Sequence, residues 1–293
     1  MLEGMAAPLL DHATLDLSTA RRITYRLEQS FTYEYDSPIT DLRHRFVVLP
    51  PMRHGDVHRR AHAMAVVGDD VRRRTCQDSA GNTVVRVRAD RVERSVCFSV
   101  TALLERIYGS GETTLPATAL RDPRLLRPTR LTAPDDRLRE IARQVIRVGD
   151  EPVALAERIC QVVHDLMTYA DGVTGVRTTA AAALAGGRGV CQDSAHVMLA
   201  VCRLAGLPAR YVSGHLLGQG GTHAWTEVVV PAAGAARALA FDPCNGRRAG
   251  AGHITVATGR DYADVAPTSG SYEGLASGLL TASRRVGVVT IAA

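Results

Sequence analysis

From residue 23 to residue 100 the apolar positions recur mostly at every second residue. Tyr25, Leu27, Phe31 and Tyr33 mark one face of a strand predicted from Ile23 to Glu34, and Thr83 to Arg88 and Val96 to Val100 alternate in the same way. Phe46 to Leu49 is a short apolar run stopped by Pro50-Pro51. A two-residue period places alternate side chains on one face of a strand, and the Gly81-Asn82 and Ala89-Asp90 steps read as turns between antiparallel neighbours. Residues 21–106 therefore predict a β-rich N-terminal domain, a sandwich or a barrel, because strands with one apolar face must bury it against a second layer. Residues 1–20, before the first strand, read as a loose leader.

Residues 107–134 are rich in Pro, Thr and Gly without clear period and read as a linker. Beyond them the spacing lengthens to that of helices. Asp135 to Val148 is one, and Pro152 to Met167 is another, with Leu155, Ile159, Val162, Val163 and Leu166 on one face. Thr179 to Leu184 is a short Ala-rich helix ended by Gly186-Gly187. A further helix opens at Cys191 and runs to Ala205, where Gly206 and Pro208 stop it. Strands return at Ala209 to Leu217, His223 to Val230, Ala238 to Phe241 and Val286 to Ile291. Residues 135–293 therefore predict a second domain, helices followed by strands.

Composition narrows the chemistry. The 293 residues include 35 basic side chains, every one an arginine, which removes Schiff-base and P-loop lysine chemistry. The net charge of +5 is mild, and Arg59-Arg60 and Arg72-Arg73-Arg74 lack interleaved aromatics, so they read as solvated faces and not as a nucleic-acid surface. No apolar run reaches the roughly 20 residues of a membrane helix, and the first twenty residues carry acidic side chains in place of a basic start. A cytoplasmic protein without a membrane partner is the expectation. The six cysteines have neither metal-pair spacing nor a disulfide framework, and Cys97, Cys160 and Cys202 read as core.

Three segments together carry chemistry. In Gly187-Arg188-Gly189-Val190-Cys191-Gln192-Asp193, glycines precede a cysteine at a helix start. The first turn of a helix has free N–H groups and a partial positive charge, which favour a thiolate there. Those N–H groups, including that of Gln192, could also hold an oxyanion. His223 opens a strand after the glycine-rich loop 218–221 and is placed to act as the base. Asp242 ends the next strand; if the two pair antiparallel it returns to the level of His223 and orients the imidazole. Cys76-Gln77-Asp78-Ser79-Ala80 repeats the letters that begin at Cys191, but Gly81-Asn82 follows, so a turn replaces the helix and Cys76 reads as structural. Glu227 shares the His223 face but lies about 13 Å along the strand, and His196 points about 140° round the helix from Cys191.

The stretches GVCQDSAHVMLAVCRLAGLPARYVSGHL, THAWTEVVV and AFDPCNG resemble the core of bacterial transglutaminase-like proteins, relatives of papain-type thiol enzymes. HITVATGRDYADVAPTSGSYEG and TYEYDSPITDLRHRFVVLPP extend the resemblance over roughly residues 22–275. It implies a β-rich domain followed by a papain-like α+β core, with Cys191 as nucleophile, His223 as base and Asp242 as orienting acid. Arg237-Ala238 stands where the family often has Gly-Trp, and His215 where a tyrosine is common. Tyr169 is a candidate second oxyanion donor and Trp225 a candidate wall of the cleft.

The expected reaction is attack by Cys191 on a protein, peptide or small amide carbonyl, giving a thioester that water or an amine resolves. Hydrolysis is favoured because water is always present and no acceptor site is visible. No cofactor is implied, and no metal: Cys191, His223 and Asp242 lack a fourth ligand and the usual spacing for zinc. An arylamine-type acyltransferase and a binding or scaffold protein that keeps the fold are the alternatives.

Overall fold

The computed structural model describes residues 5–68, 71–108 and 112–292. Two sheets form a sandwich. One holds, in spatial order, β17 (Gly278–Ala292), β1 (Arg22–Tyr35), β7 (Ser95–Ile107), β4 (Val57–Val67) and the short β3 (Arg53–His54). The other holds β16 (Thr268–Glu273), β2 (Ile39–Leu49), β6 (Thr83–Val92) and β5 (Arg72–Gln77). Phe31, Phe46 and Phe98 meet between them, with ring centroids 6.1 Å apart for Phe31–Phe46 and 4.3 Å for Phe46–Phe98.

The third large sheet runs β14 (Arg247–Arg248), β13 (Ala235–Asp242), β12 (His223–Ala232), β11 (Ala209–Leu216), β15 (His253–Gly259), and β8 (Thr113–Leu115) adds to β13. A parallel pair, β9 (Thr168–Tyr169) and β10 (Arg188–Gly189), stands apart from it. Helices cover one face of the large sheet: α1 (Pro123–Leu126), α2 (Asp136–Val145), α3 (Pro152–Leu166), α4 (Ala180–Gly186), α5 (Cys191–Leu204) and α6 (Tyr262–Val265). Asp135 caps α2 by accepting the Leu138 N–H, Pro152 starts α3, and Gly187, at φ 62°, ends α4. Helix α5 is buried along almost its whole length and is the centre of the helical core. Ile254 and Val256, from β15, join the sandwich core instead, so the large sheet is a middle layer between helices and sandwich.

Several expectations need correction. Residues 268–292 do not stay with the C-terminal unit: β17 pairs with β1 along its whole length and β16 with β2, so the last strands complete the N-terminal sandwich. Period two announced a strand near Val286 but carries no information on its partner. The linker contributes β8 and two short helical turns. The leader is packed: Leu10 bridges Val288, and Arg26 donates to the carbonyls of Met5 and Ala7. Ala89-Asp90 lies inside β6 and is no turn. Strands β4 and β5 lack a readable period because consecutive arginines interrupt their alternation. Arg59 is not on a solvated face; it is buried and donates to the Pro50 carbonyl at 2.6 Å.

The large sheet is tied to the sandwich by polar contacts. Asn82 donates to the Thr258 carbonyl and accepts the Thr258 N–H, both at 2.8 Å. Buried Glu227 accepts from Arg210 at 2.7 Å and pairs with His54, on β3, at 2.6 Å. Burial alone would raise the Glu227 carboxyl, but Arg210 and His54 outweigh it and bring it down to about 2. Its folded value lies below the unfolded one of about 4.3, so it contributes stability above that pH, and the contribution is lost as pH falls toward 2. Glu227→Gln should therefore lower stability by a few kcal/mol at pH 7 and shrink the loss between pH 5 and pH 2, as read by urea unfolding. Equal pH dependence in the two proteins would contradict this.

Candidate active site

Cys191 is the first residue of α5 and is half-buried. The turn before it is fixed from within the helix. Asp193 Oδ2 accepts the Val190 N–H at 2.8 Å and the Thr174 hydroxyl at 2.6 Å, which also ties down the neighbouring 170–178 loop. Burial raises the Asp193 carboxyl above its ordinary range, with these two bonds working against it. Gly189 is what leaves room for this cap: a Cβ there would sit 2.5 Å from Asp193 Oδ2. Gly189→Ala should destabilise the fold by about 1–3 kcal/mol, the usual cost of overpacking, and slow Cys191 chemistry through the displaced turn. Thermal unfolding checks the first part; an unchanged Tm would contradict it.

His223, first residue of β12, is buried, and the nearby Cys191 sulfur helps to raise its imidazole. Its Nε2 lies 2.8 Å from Asp242 Oδ2, which leaves Nδ1 for the sulfur. The antiparallel register pairs Thr226 with Phe241, so Asp242 does come back beside the His223 end of β12. Burial pulls the imidazole down, but the bond to Asp242 and the nearby Cys191 sulfur more than offset that and raise it to about 9. Burial likewise pushes Asp242 up, and its bonds to His223, His253 and Asn245 hold it well below the carboxylate range instead. Asp242 Oδ2 also accepts from Asn245 Nδ2 at 2.7 Å and faces His253 Nε2 at 3.0 Å, while Oδ1 takes the Asn245 N–H at 3.2 Å.

The remaining candidates divide. Tyr169 is exposed and pairs with Gly189, two residues before the sulfur; burial together with Asp171, Cys191 and Cys244 raises its hydroxyl. Gln192 is the second residue of α5, so its N–H belongs to the first turn, which has no intrahelical acceptor. Trp225 is buried, 6.1 Å from the His223 ring and edge-on to His253 at 5.2 Å, and with His253 it borders a cavity of about 330 Å³. His196 accepts the Tyr262 N–H at 3.2 Å and packs on Tyr211, away from the site. Cys76 is the penultimate residue of β5, which is followed by a turn in which Asp78 accepts the Ala80 and Asn82 N–H groups, so the repeated letters do form a turn there. Cys160 and Cys202 are buried, while Cys97 is only half-buried. Burial, with Cys191 and Asp242 nearby, pushes the Cys244 thiol up to about 12.

Two histidines matter that carried no role in the sequence. His215, pulled down to about 4 by burial, is neutral, and its Nδ1 lies 3.1 Å from the Gly221 carbonyl, holding the loop that leads into His223. His253 is the second ring on Asp242. Its only signal was its place at the head of the HITVATGRDY stretch. Ligand atoms of His223, Asp242 and His253 lie within 4.8 Å of one another, a spacing a metal ion could use. The donor chemistry fits a hydrogen-bonded chain better. The Gly250 N–H points at His253 Nδ1 at 3.1 Å, so the ring proton is on Nε2, the atom a metal would need bare.

Known proteins match along most of the chain. The Transglutaminase-like superfamily model matches residues 139–239, which hold Cys191 and His223, and the Bacterial transglutaminase-like N-terminal region model matches residues 25–105. An uncharacterised protein of Mycobacterium leprae is 32% identical over 208 residues, covering 66% of this chain and 72% of that protein. An uncharacterised protein of Mycobacterium bovis is 28% identical over 288 residues, covering 88% of this chain and 89% of that one. Among solved structures, a protein of Cytophaga hutchinsonii, provisionally described as a cysteine protease, superposes with a TM-score of 0.74 at 22% identity, covering 92% of this chain and 91% of that one. At that identity the likeness speaks for the fold.

Proposed function

Because the chain belongs to the transglutaminase-like superfamily and carries its bacterial N-terminal region, we propose that it is a thiol enzyme that opens amide or peptide bonds through Cys191, His223 and Asp242. The observation that supports this reading is the placement of Cys191, at the start of α5, beside His223, whose Nε2 lies 2.8 Å from Asp242 Oδ2. An imidazolium and the first turn of a helix both stabilise a thiolate. The sulfur attacks the carbonyl carbon, and the oxyanion is met by the Gln192 N–H and the Tyr169 hydroxyl. The carbonyl C–N bond breaks as His223 Nδ1 passes its proton to the leaving amine, giving a thioester on Cys191. His223 then takes a proton from water, the hydroxide adds to the thioester, and Cys191 leaves as the acid is released. An amine in place of water would give transfer. Hydrolysis is the favoured outcome, since the half-buried sulfur lies within reach of water.

A panel of glutamine peptides, with and without an added primary amine, tests this by intact-protein mass spectrometry. The expected result is an acyl adduct on Cys191 at short times and mainly free acid at long times, even with amine present. Absence of any adduct, including with an activated ester, would overturn the thiol-enzyme reading. Mainly amide product would overturn the preference for water.

A further inference from the structure

We infer that His253 is a positioning residue of this centre, so that the working unit is a chain of four side chains, Cys191–His223–Asp242–His253. The inference rests on the thiol-enzyme reading above and adds a member to it. His253 is buried at 5% exposure and belongs to β15, beyond β11 from the other two polar groups. Its ring meets Trp225 edge to face at 5.2 Å. Gly214, in β11, leaves room for that Trp225 ring and for the backbone next to His253: a Cβ there would lie 2.5 Å from Trp225 Cη2 and 2.2 Å from the Ile254 carbonyl oxygen.

The ring's hydrogen bonds define its role. Nδ1 accepts the Gly250 N–H, so a neutral His253 carries its proton on Nε2 and donates it to Asp242 Oδ2. A protonated ring would set one N–H against another. The backbone carbonyl of His253 accepts from Arg106 Nη2 at 3.1 Å, and Arg106 is itself held by Asp56 through two bonds of 3.0 Å. The charged or titratable groups facing His253 are thus Asp242 from β13, His223 from β12 and Arg106 from β7; His54, Asp56, Glu112, Glu227 and Arg248 border the adjoining cavity of about 330 Å³.

Two consequences follow. Oδ2 receives His223, His253 and Asn245 at once, so the carboxylate cannot rotate away from His223. His253 also competes with His223 for electron density on the same oxygen, which limits how tightly Asp242 makes His223 hold its proton. Removing the His253 donor should therefore loosen the aim of His223 and raise the pH at which it loses its proton.

The test reads alkylation of Cys191 by iodoacetamide from pH 5 to pH 10.5, which needs no identified substrate. In the wild type the rate should change near pH 9, where His223 deprotonates. His253→Ala should slow the reaction at pH 7 by about tenfold, the scale on which outer partners tune an active group, and move that limb upward. His253→Gln, whose amide can donate to Oδ2, should restore both rate and limb. A merely structural role would lower the folded fraction without moving the limb. The inference is overturned if the alanine variant matches the wild type on both readouts, or if a stably folded glutamine variant is as impaired as alanine. Should the alanine variant not fold, the ring 15N shifts of wild-type His253 decide: a protonated Nε2 with bare Nδ1 supports the inference, and the opposite tautomer overturns it. A wild type whose Cys191 shows no enhanced reactivity would instead refute the thiol-enzyme reading, so the two failures are distinguishable.

Discussion

Cys191→Ala leaves the protein folded and removes its acyl chemistry, by about 10⁶-fold, as for loss of a nucleophile in hydrolytic triads. The fold should survive because the side chain is small, half-buried and at a helix start, where alanine is the better helix former. The expected measurements are an unchanged circular-dichroism melt and no acyl adduct with any peptide or activated ester. Retention of full biological activity by this variant would favour the scaffold alternative, in which the fold is kept without the reaction.

Asp242→Asn has the second largest expected effect, about 10³- to 10⁴-fold on acylation, with the geometry nearly unchanged. The carboxylate has an oxygen, Oδ2, that receives three donors, and its other oxygen takes a fourth. An amide has one oxygen and turns an NH₂ toward groups that are themselves donors. His223 then flips tautomer or loses its partner, and a buried donor left unpaired costs about 1–3 kcal/mol of stability. The anion is also part of what raises His223 to about 9 against the effect of burial. Without it the imidazole must titrate lower, so the alkaline limb of Cys191 alkylation moves down, opposite to the shift expected for His253→Ala. A limb that stays near 9 in Asp242→Asn would contradict the assignment of Asp242.

The contrast shows which parts of the site were legible in the residues. Cys191, His223 and Asp242 each stand at an element end, and two of the elements, β12 and β13, are neighbours in sequence and in the sheet. Local period and turn length were enough to bring Asp242 back to His223. The same logic separated Cys191 from Cys76, because the residues that follow each cysteine decide between helix and turn. His253 was not legible for the complementary reason. Its strand lies beyond β11, and its contact with Asp242 crosses that strand, a long-range pairing that no periodicity announces.

In the fold, the strands of the sandwich in which apolar residues keep clean alternation were readable, arginines on the outer face included, and those in which consecutive arginines break it, β4 and β5, were not. Arg59 looks solvated by type, yet its guanidinium is spent on the Pro50 carbonyl and its stem is buried. The placement of β16 and β17 in the sandwich is a matter of long-range pairing: an alternating strand fits any edge with the right register, and its own residues do not say which.

The central claim is that one thiol of six is activated by its position. Iodoacetamide alkylation of the native wild-type protein, mapped by mass spectrometry at several pH values, tests it most directly. Cys160 and Cys202 are buried, and burial raises Cys244 to about 12, so none of the three should compete. Cys191 is predicted to react first, well before Cys76 and Cys244, with a rate that changes near pH 9 as His223 loses its proton. Alkylation of Cys191 no faster than that of Cys76 or Cys244 would contradict the account.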